Sequence, residues 1–352
     1  LTNNGFNMID LRSDTVSLPT KQMKDFMFNA AIGDDVYGED PSINELQEYA
    51  ANLFNKESAI FVPSGTMANL VSVLAHCERG DEIILGNKSH IFYYEAGGVS
   101  AYGGIHSYQL KNYDDGTIDL NDIKDSIRNS TDAHYPKSKL LCLENTHNMC
   151  YGSPIDTEYF DKVSLLTKKY NLKLHIDGAR IFNAAVYFNK PVSELVKNAD
   201  SVSCCLSKGL SCPAGSLIIG NKSFIAKAHR IRKSLGGGMR QAGIFASAGI
   251  FALQNMIDGL NTDHANAKKI AHNLANIKNI KIDLKNIKTN IIFFYLEKNG
   301  LSDDEFIKKL LSYNIKIDSK GNRKFRIATH SSFKSKDIDK ISDIINKIVN
   351  KG

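Results

Sequence analysis

The order of signals along the chain predicts an α/β fold with a mostly parallel sheet flanked by helices, followed by a smaller α/β domain at the carboxyl end. Three observations carry this. Apolar runs of strand length alternate with amphipathic runs of helix length through the first two thirds of the chain, the pattern that builds βαβ units. Three of those runs end at a glycine turn with polar residues, at Ser64-Gly65-Thr66, Asp177-Gly178 and Ser207-Lys208-Gly209, and open α/β sheets collect functional groups at strand carboxyl ends. Beyond Gly259 the composition shifts to Asn, Lys and Ile. The expected organisation is an arm and short helix over 1–33, a large domain over 34–259 and a small domain over 260–352.

In chain order, Ile9 to Val16 is extended and Thr20 opens a short helix with apolar spacing through Phe26 and Phe28. The loop Gly33 to Asp40 carries four acids, a tyrosine and two glycines. Asp40-Pro41 is a cap and first-turn pair for an amphipathic helix from Ser42 to Asn55. A strand through Phe61 leads into Ser64-Gly65-Thr66 and a helix to Cys77, and strand Glu82 to Gly86 leads to Asn87-Lys-Ser-His90. Strand Gly104 to Leu110, turn Asp114-Asp-Gly116 and helix Leu120 to Arg128 form one unit, with His134 in the following loop.

Strand Lys139 to Glu144 ends in the polar cluster Asn145-Thr-His-Asn148. Helix Asp156 to Tyr170, a strand ending at Asp177, two short helices, strand Val202 to Leu206 and strand Ser216 to Gly220 complete the alternation. Helix Ser223 to Leu235 is basic and ends in Gly236-Gly-Gly-Met-Arg240, and the apolar helix Ala242 to Met256 reads as core or subunit interface. After Gly259 come a helix, strand Asn290 to Leu296, helix Asp303 to Tyr313, strand Phe325 to Thr329 and helix Lys336 to Val349. Arg326 alternates with apolar neighbours, so it is either a carboxylate clamp or an exposed edge charge.

A chain of 352 residues with 42% apolar residues can bury a sizeable core. Its net charge of +6 is scattered, which reads as a solvated surface and not as a nucleic-acid footprint. The six cysteines form no Cys-x-x-Cys pair and lie mostly in apolar strands, so reduced core thiols of a cytoplasmic protein are expected, with no metal site. No apolar run is long enough to span a bilayer, and no basic stretch leads into an apolar segment at the start. Leu1 to Asn7 precede Met8 and stay outside the fold reading.

Lys208 stands where a lysine is costly, at the carboxyl end of a strand buried on both faces. Lost hydration disfavours its ammonium form and makes the amine fit to hold a carbonyl as a Schiff base, although a lone strand-end lysine more simply reaches for water. Partners elsewhere must decide, and Asp177, which alone could equally be a helix cap, counts together with the Ser64-Gly65-Thr66 turn. An aspartate near such a lysine points to pyridoxal 5'-phosphate, whose ring nitrogen a buried carboxylate keeps protonated. The free amides where Ser64-Gly65-Thr66 opens a helix suit its phosphate.

The chain resembles the low-specificity L-threonine aldolases, in the β-eliminating-lyase group of fold-type-I pyridoxal phosphate enzymes. The likeness runs nearly from Met8 to the last helix and rests on Leu11-Arg-Ser-Asp-Thr15, Gly33 to Pro41, Ser64 to Asn69, Glu95-Ala-Gly-Gly98, Glu144 to Asn148, Asp177-Gly-Ala-Arg180, Ser207-Lys-Gly-Leu210, Gly236 to Gln241 and Ala328-Thr-His330. Met149 to Pro154 departs from the pattern. The resemblance implies a large domain that binds the cofactor beside a small one, as in aspartate aminotransferase. It implies Lys208, His90, His134 and Asp177 as catalytic, with Ser64, Gly65, Thr66, His90, Asp177, Arg180, Ser207, Lys208 and Arg240 around the cofactor. His90 would stack on the ring and His134 would lie over the substrate side chain. Ser13, Tyr37, Arg180 and Arg326 would bind the amino acid.

The expected reaction is cleavage of L-threonine or L-allo-threonine to glycine and acetaldehyde, in a homodimer or homotetramer with active sites shared between subunits, Tyr37 and Arg240 reaching a neighbour's site. The alternatives are another β-eliminating lyase or an aminotransferase on the same scaffold, acting on a small amino acid, and a cofactor-free binding protein that has kept the fold.

Overall fold

Strands rich in branched aliphatic residues, buried on both faces, form the centre of the molecule, which a computed structural model describes over residues 8–297 and 301–350. Leu1 to Asn7, the start of the predicted arm, lie outside the described residues. The large sheet has seven strands in the order Ser58–Val62, Ser216–Gly220, Ser201–Cys205, Lys173–Asp177, Lys137–Glu144, Asp81–Gly86 and His106–Leu110. Every pair is parallel except the two made by Ser216–Gly220. That strand turns back because Leu206 to Gly215 is a tight reversal, closed by the Leu206 amide on Gly215 oxygen at 3.1 Å with Gly215 at φ 103°. Ser58–Val62 therefore points the same way as the parallel strands, and six carboxyl ends share one edge.

Alternation along a strand assigns its side chains to two layers. Phe61 belongs to the layer of helices Pro41–Leu53, Thr157–Lys169 and Ile181–Phe188, whereas Ile60 and Val62 belong to the layer of helices Gly65–His76 and Lys222–Ser234. Each fully buried aliphatic in these layers contributes about 1.5–3 kcal/mol, so the layers fix the register that brings the strand ends together.

The carboxyl-terminal part is a four-stranded antiparallel sheet in the order Asp318–Ser319, Lys324–Ala328, Ile291–Leu296 and Ile280–Ile282. Helices Leu260–Ala275, Asp303–Ser312 and Ile338–Asn350 cover it around Phe294, Phe306 and Phe325. Ile9 and Leu11 join this second core, and Ile9–Asp10 pairs in parallel with Ile315–Lys316. Only those two residues of the predicted extended segment are strand, because the Ser13 hydroxyl caps a 3-10 turn over Asp14–Val16. The strand expected from Gly104 begins at His106, since Gly104, at φ 61°, ends a helix over Gly98–Gly103. Among the described residues no helix is long and apolar enough to cross a membrane, and all six cysteines are buried and free.

Candidate active site

The site draws on the loops that follow five of the six strands ending at the shared edge. Lys208 sits half-buried in the turn after Ser201–Cys205, its own carbonyl pinned by the Ser211 amide and the Ser17 hydroxyl, both at 2.8 Å. Asp177 ends the neighbouring strand, in register with Ser203. It is buried, taking Asn69 Nδ2 at 2.8 Å on one oxygen and the Ala179 amide at 3.1 Å on the other. Burial alone would raise its pKa, but the charges of His90 and Lys208, with the Asn69 bond, hold it below the usual carboxylate value. An ionised carboxylate and an amine thus stand on adjacent strand ends.

The helix Gly65–His76 starts at the same edge. Ser64 caps it by accepting from the Met67 amide at 3.2 Å, which leaves the Gly65 and Thr66 amides without a partner among the described residues. A Cβ on residue 65 would meet Cys205 Sγ at 2.6 Å, so glycine lets the helix start approach the Lys208 strand. Ser207 is half-buried one residue before the lysine.

His90 begins the helical turn after Asp81–Gly86. Its amide donates to Glu144 Oε2 at 2.8 Å and its Nδ1 meets Glu95 Oε1 at 2.9 Å. Burial lowers its pKa, but the Glu95 bond and the charges of Asp177 and Glu144 outweigh it and raise the value above 6.5. Glu95, itself pushed up by burial, shares that oxygen with Asn69 Nδ2 at 2.7 Å. Ligand-type atoms of His90, Glu95 and Asp177 lie within 4.8 Å of one another. The space a cation would need between the carboxylates is taken by the Asn69 NH₂, a donor to both.

Two arginines converge beside this group. Arg180 is buried and grips Asp14 with Nε at 2.7 Å and Nη2 at 2.6 Å. Arg326 is 7% exposed, which removes the edge-charge reading, and donates to Asn148 Oδ1 at 2.9 Å and to Arg12 oxygen at 2.9 Å. Arg180 Nη1 reaches the same Asn148 oxygen at 3.4 Å. Burial and the Arg180 charge lower the Arg326 pKa, and its Nε is buried with no partner among the described residues. Such a pair favours an anion. Ser13, half-buried, adjoins Asp14.

Three expected site residues stand apart. His134 is 90% exposed and bonded to Asp132, in the loop before Lys137–Glu144. That loop meets the opposite edge of the sheet, about 26 Å from Glu144 along an eight-residue strand, so this chain does not bring His134 to its own Lys208. Tyr37 is 75% exposed, and Arg240 pairs with Asp34 at 2.9 Å with its guanidinium 6.0 Å from the Tyr37 ring. Asn69, Asp14, Glu95 and Asn148 lie within the family-like motifs, which assign them no role. Their signal was a polar residue in a helix or strand-end run that is otherwise buried.

The Beta-eliminating lyase family matches residues 10–298. The chain is 45% identical over 343 residues to a probable low-specificity L-threonine aldolase 2 of Arabidopsis thaliana, covering 97% of each. It is 46% identical over 302 residues to the low specificity L-threonine aldolase of Escherichia coli K12, covering 86% of this chain and 89% of that one. A solved Leishmania major threonine aldolase shares the fold with a TM-score of 0.81 at 18% identity, covering 97% of this chain and 99% of that one. The match spans the strands that carry His90, Asp177 and Lys208 and the loops between them, and on it the chain belongs to the beta-eliminating lyase family.

Proposed function

We propose that the protein is a pyridoxal 5'-phosphate-dependent lyase that cleaves L-threonine or L-allo-threonine to glycine and acetaldehyde. The observation that carries this is the meeting of Lys208, Asp177 and His90 at one sheet edge beside the pair Arg180 and Arg326. The residues fit the cofactor: a buried, ionised carboxylate for its ring nitrogen, unpartnered amides at a helix start for its phosphate, and a lysine on the adjacent strand end. Lys208 would hold it covalently through Nζ, Asp177 would face the ring nitrogen, and His90 would lie against the ring. Ser64, Gly65, Thr66 and Ser207 would take the phosphate. When bound, the group supplies a sink for the electron pair left at the substrate Cα.

The protein's own residues then divide the work. Arg180 and Arg326, with Ser13, take the substrate carboxylate and so present the Cα–Cβ bond in one orientation. His90 has Nδ1 engaged by Glu95, which leaves Nε2 as the nitrogen to accept the β-hydroxyl proton. Loss of that proton turns the hydroxyl into the carbonyl of acetaldehyde as the Cα–Cβ bond breaks, and a proton delivered to Cα completes glycine.

Exposed Tyr37 and Arg240, and His134 at the far edge, fit a site completed by a second copy, Arg240 reaching its neighbour's phosphate. Product analysis tests the reaction. With pyridoxal phosphate and L-threonine, equimolar glycine and acetaldehyde are expected, whereas a keto acid with ammonia would replace this reading with an elimination.

A further inference from the structure

Behind Asp177 and His90 runs a chain of buried polar groups that the reaction above does not use. Asn69, 2% exposed on helix Gly65–His76, donates from Nδ2 to Glu95 Oε1 at 2.7 Å and to Asp177 Oδ2 at 2.8 Å. Both acceptors are carboxylate oxygens, so the orientation of the carboxamide follows from chemistry and Oδ1 must accept. It takes Ser203 Oγ at 2.7 Å and His175 Nε2 at 3.2 Å. With its proton on Nε2, a neutral His175 has its lone pair on Nδ1. Ser201 O–H therefore donates there at 2.8 Å, and Ser201 Oγ accepts from His76 Nε2 at 2.8 Å. Burial keeps both rings neutral, with the pKa of His175 pushed down to about 4 and that of His76 to about 3. Every proton in the chain thus points one way, from His76 toward Asp177 and Glu95.

We propose that Asn69, locked by His175, is the positioning residue that couples the two halves of the site, holding the Asp177 carboxylate with one hydrogen and the Glu95–His90 pair with the other. The inference rests on the reading of Asp177 and His90 given above. Two buried carboxylates repel, and a shared NH₂ is what lets both stay close to His90. Among the described residues Glu95 Oε2 is buried without a partner, so Oε1 carries the bonds of this carboxylate, from Asn69 and His90. Remove Asn69, and His90 is left as its remaining donor. The groups that face His90 are Glu95, Asp177 and Glu144, with the Tyr94 ring at 5.4 Å, so lost screening between the acids must appear in the histidine's own titration.

The test is ring-nitrogen NMR of His90 across pH in the full chain, before and after pyridoxal phosphate is added. In Asn69→Ala the His90 midpoint should rise by about half a unit or more, the size expected for one lost hydrogen bond to a charged neighbour. His175→Phe should move it the same way, and His175→Gln, which keeps a donor toward Asn69, should restore the wild-type value. A residue that only packs would lower the melting temperature and leave the midpoint unmoved. Wild-type midpoints in both Asn69→Ala and His175→Phe would overturn the proposal, and if Asn69→Ala does not fold, His175→Phe decides alone. Failure of the cofactor reading is separate: the wild-type chain would develop no cofactor absorption band, while the coupling would persist in the cofactor-free protein.

Discussion

Arg180 and Arg326 share one acceptor, Asn148 Oδ1, at 3.4 and 2.9 Å. Each guanidinium also has a carboxylate partner, Arg180 in Asp14 and Arg326 in Asp318 at 2.9 Å, so what the pair still offers is N–H donors, among them Arg326 Nε, buried with no partner among the described residues. Free guanidinium donors of this kind suit a carboxylate, the role proposed for the pair.

Arg326→Ala should therefore weaken amino-acid use while cofactor binding stays normal. One charged hydrogen bond is worth roughly 1.5–3 kcal/mol, a loss of about tenfold to hundredfold in kcat/KM. Steady-state kinetics with L-threonine checks this, and an unchanged kcat/KM would leave the arginine a structural partner of Asn148.

The Asp14–Arg180 pair should act on stability. Burial would raise the Asp14 pKa, but the charge and hydrogen bonds of Arg180, then Lys208 and Asn290, hold it well below 3.8. Its stabilisation is thus present above the unfolded value and lost as pH falls through the lower folded value. At pH 7, Asp14→Ala strands a buried arginine and should cost about 3–5 kcal/mol in urea unfolding. The gap between the two proteins should narrow below about pH 4. A difference that persists undiminished in acid would mean that packing, not charge, is what Asp14 supplies.

Much of this site was legible in the chain because strands and turns write themselves in local pattern. Lys208, Asp177 and Gly65 stood at strand ends marked by glycine, and the sheet then had to bring them to one edge. The Asn69 and His175 contacts were not legible: each is one polar residue inside a buried run, and Asn69 lies more than a hundred positions from both Asp177 and His175. The two-residue pairing of Ile9–Asp10 with Ile315–Lys316 is too short to carry a period. His134 followed the family pattern, but its distance from Lys208 is a property of sheet direction that no local motif records.

The pH profile follows from His90. As the base it must be neutral, and its pKa is raised above 6.5, so kcat/KM should climb with pH along a limb centred above that value. Glu95→Gln removes the hydrogen-bonded carboxylate that raises it, and the limb should move to lower pH. An unmoved limb would assign the base elsewhere.

Sharing of the site is tested by complementation. Lys208→Ala and Arg240→Ala, each inactive at limiting cofactor, should recover about a quarter of wild-type activity when co-refolded, if dimers form at random and Arg240 serves its neighbour. No recovery above the separate mutants would keep Arg240 with its own chain, where it now pairs with Asp34.

The central claim is that Lys208 carries the cofactor, and hydride reduction of the cofactor-loaded protein followed by peptide mapping tests it most directly. The pyridoxyl group should appear on the peptide containing Ser207-Lys208-Gly209. Its appearance on any other lysine, or on none, would contradict the account.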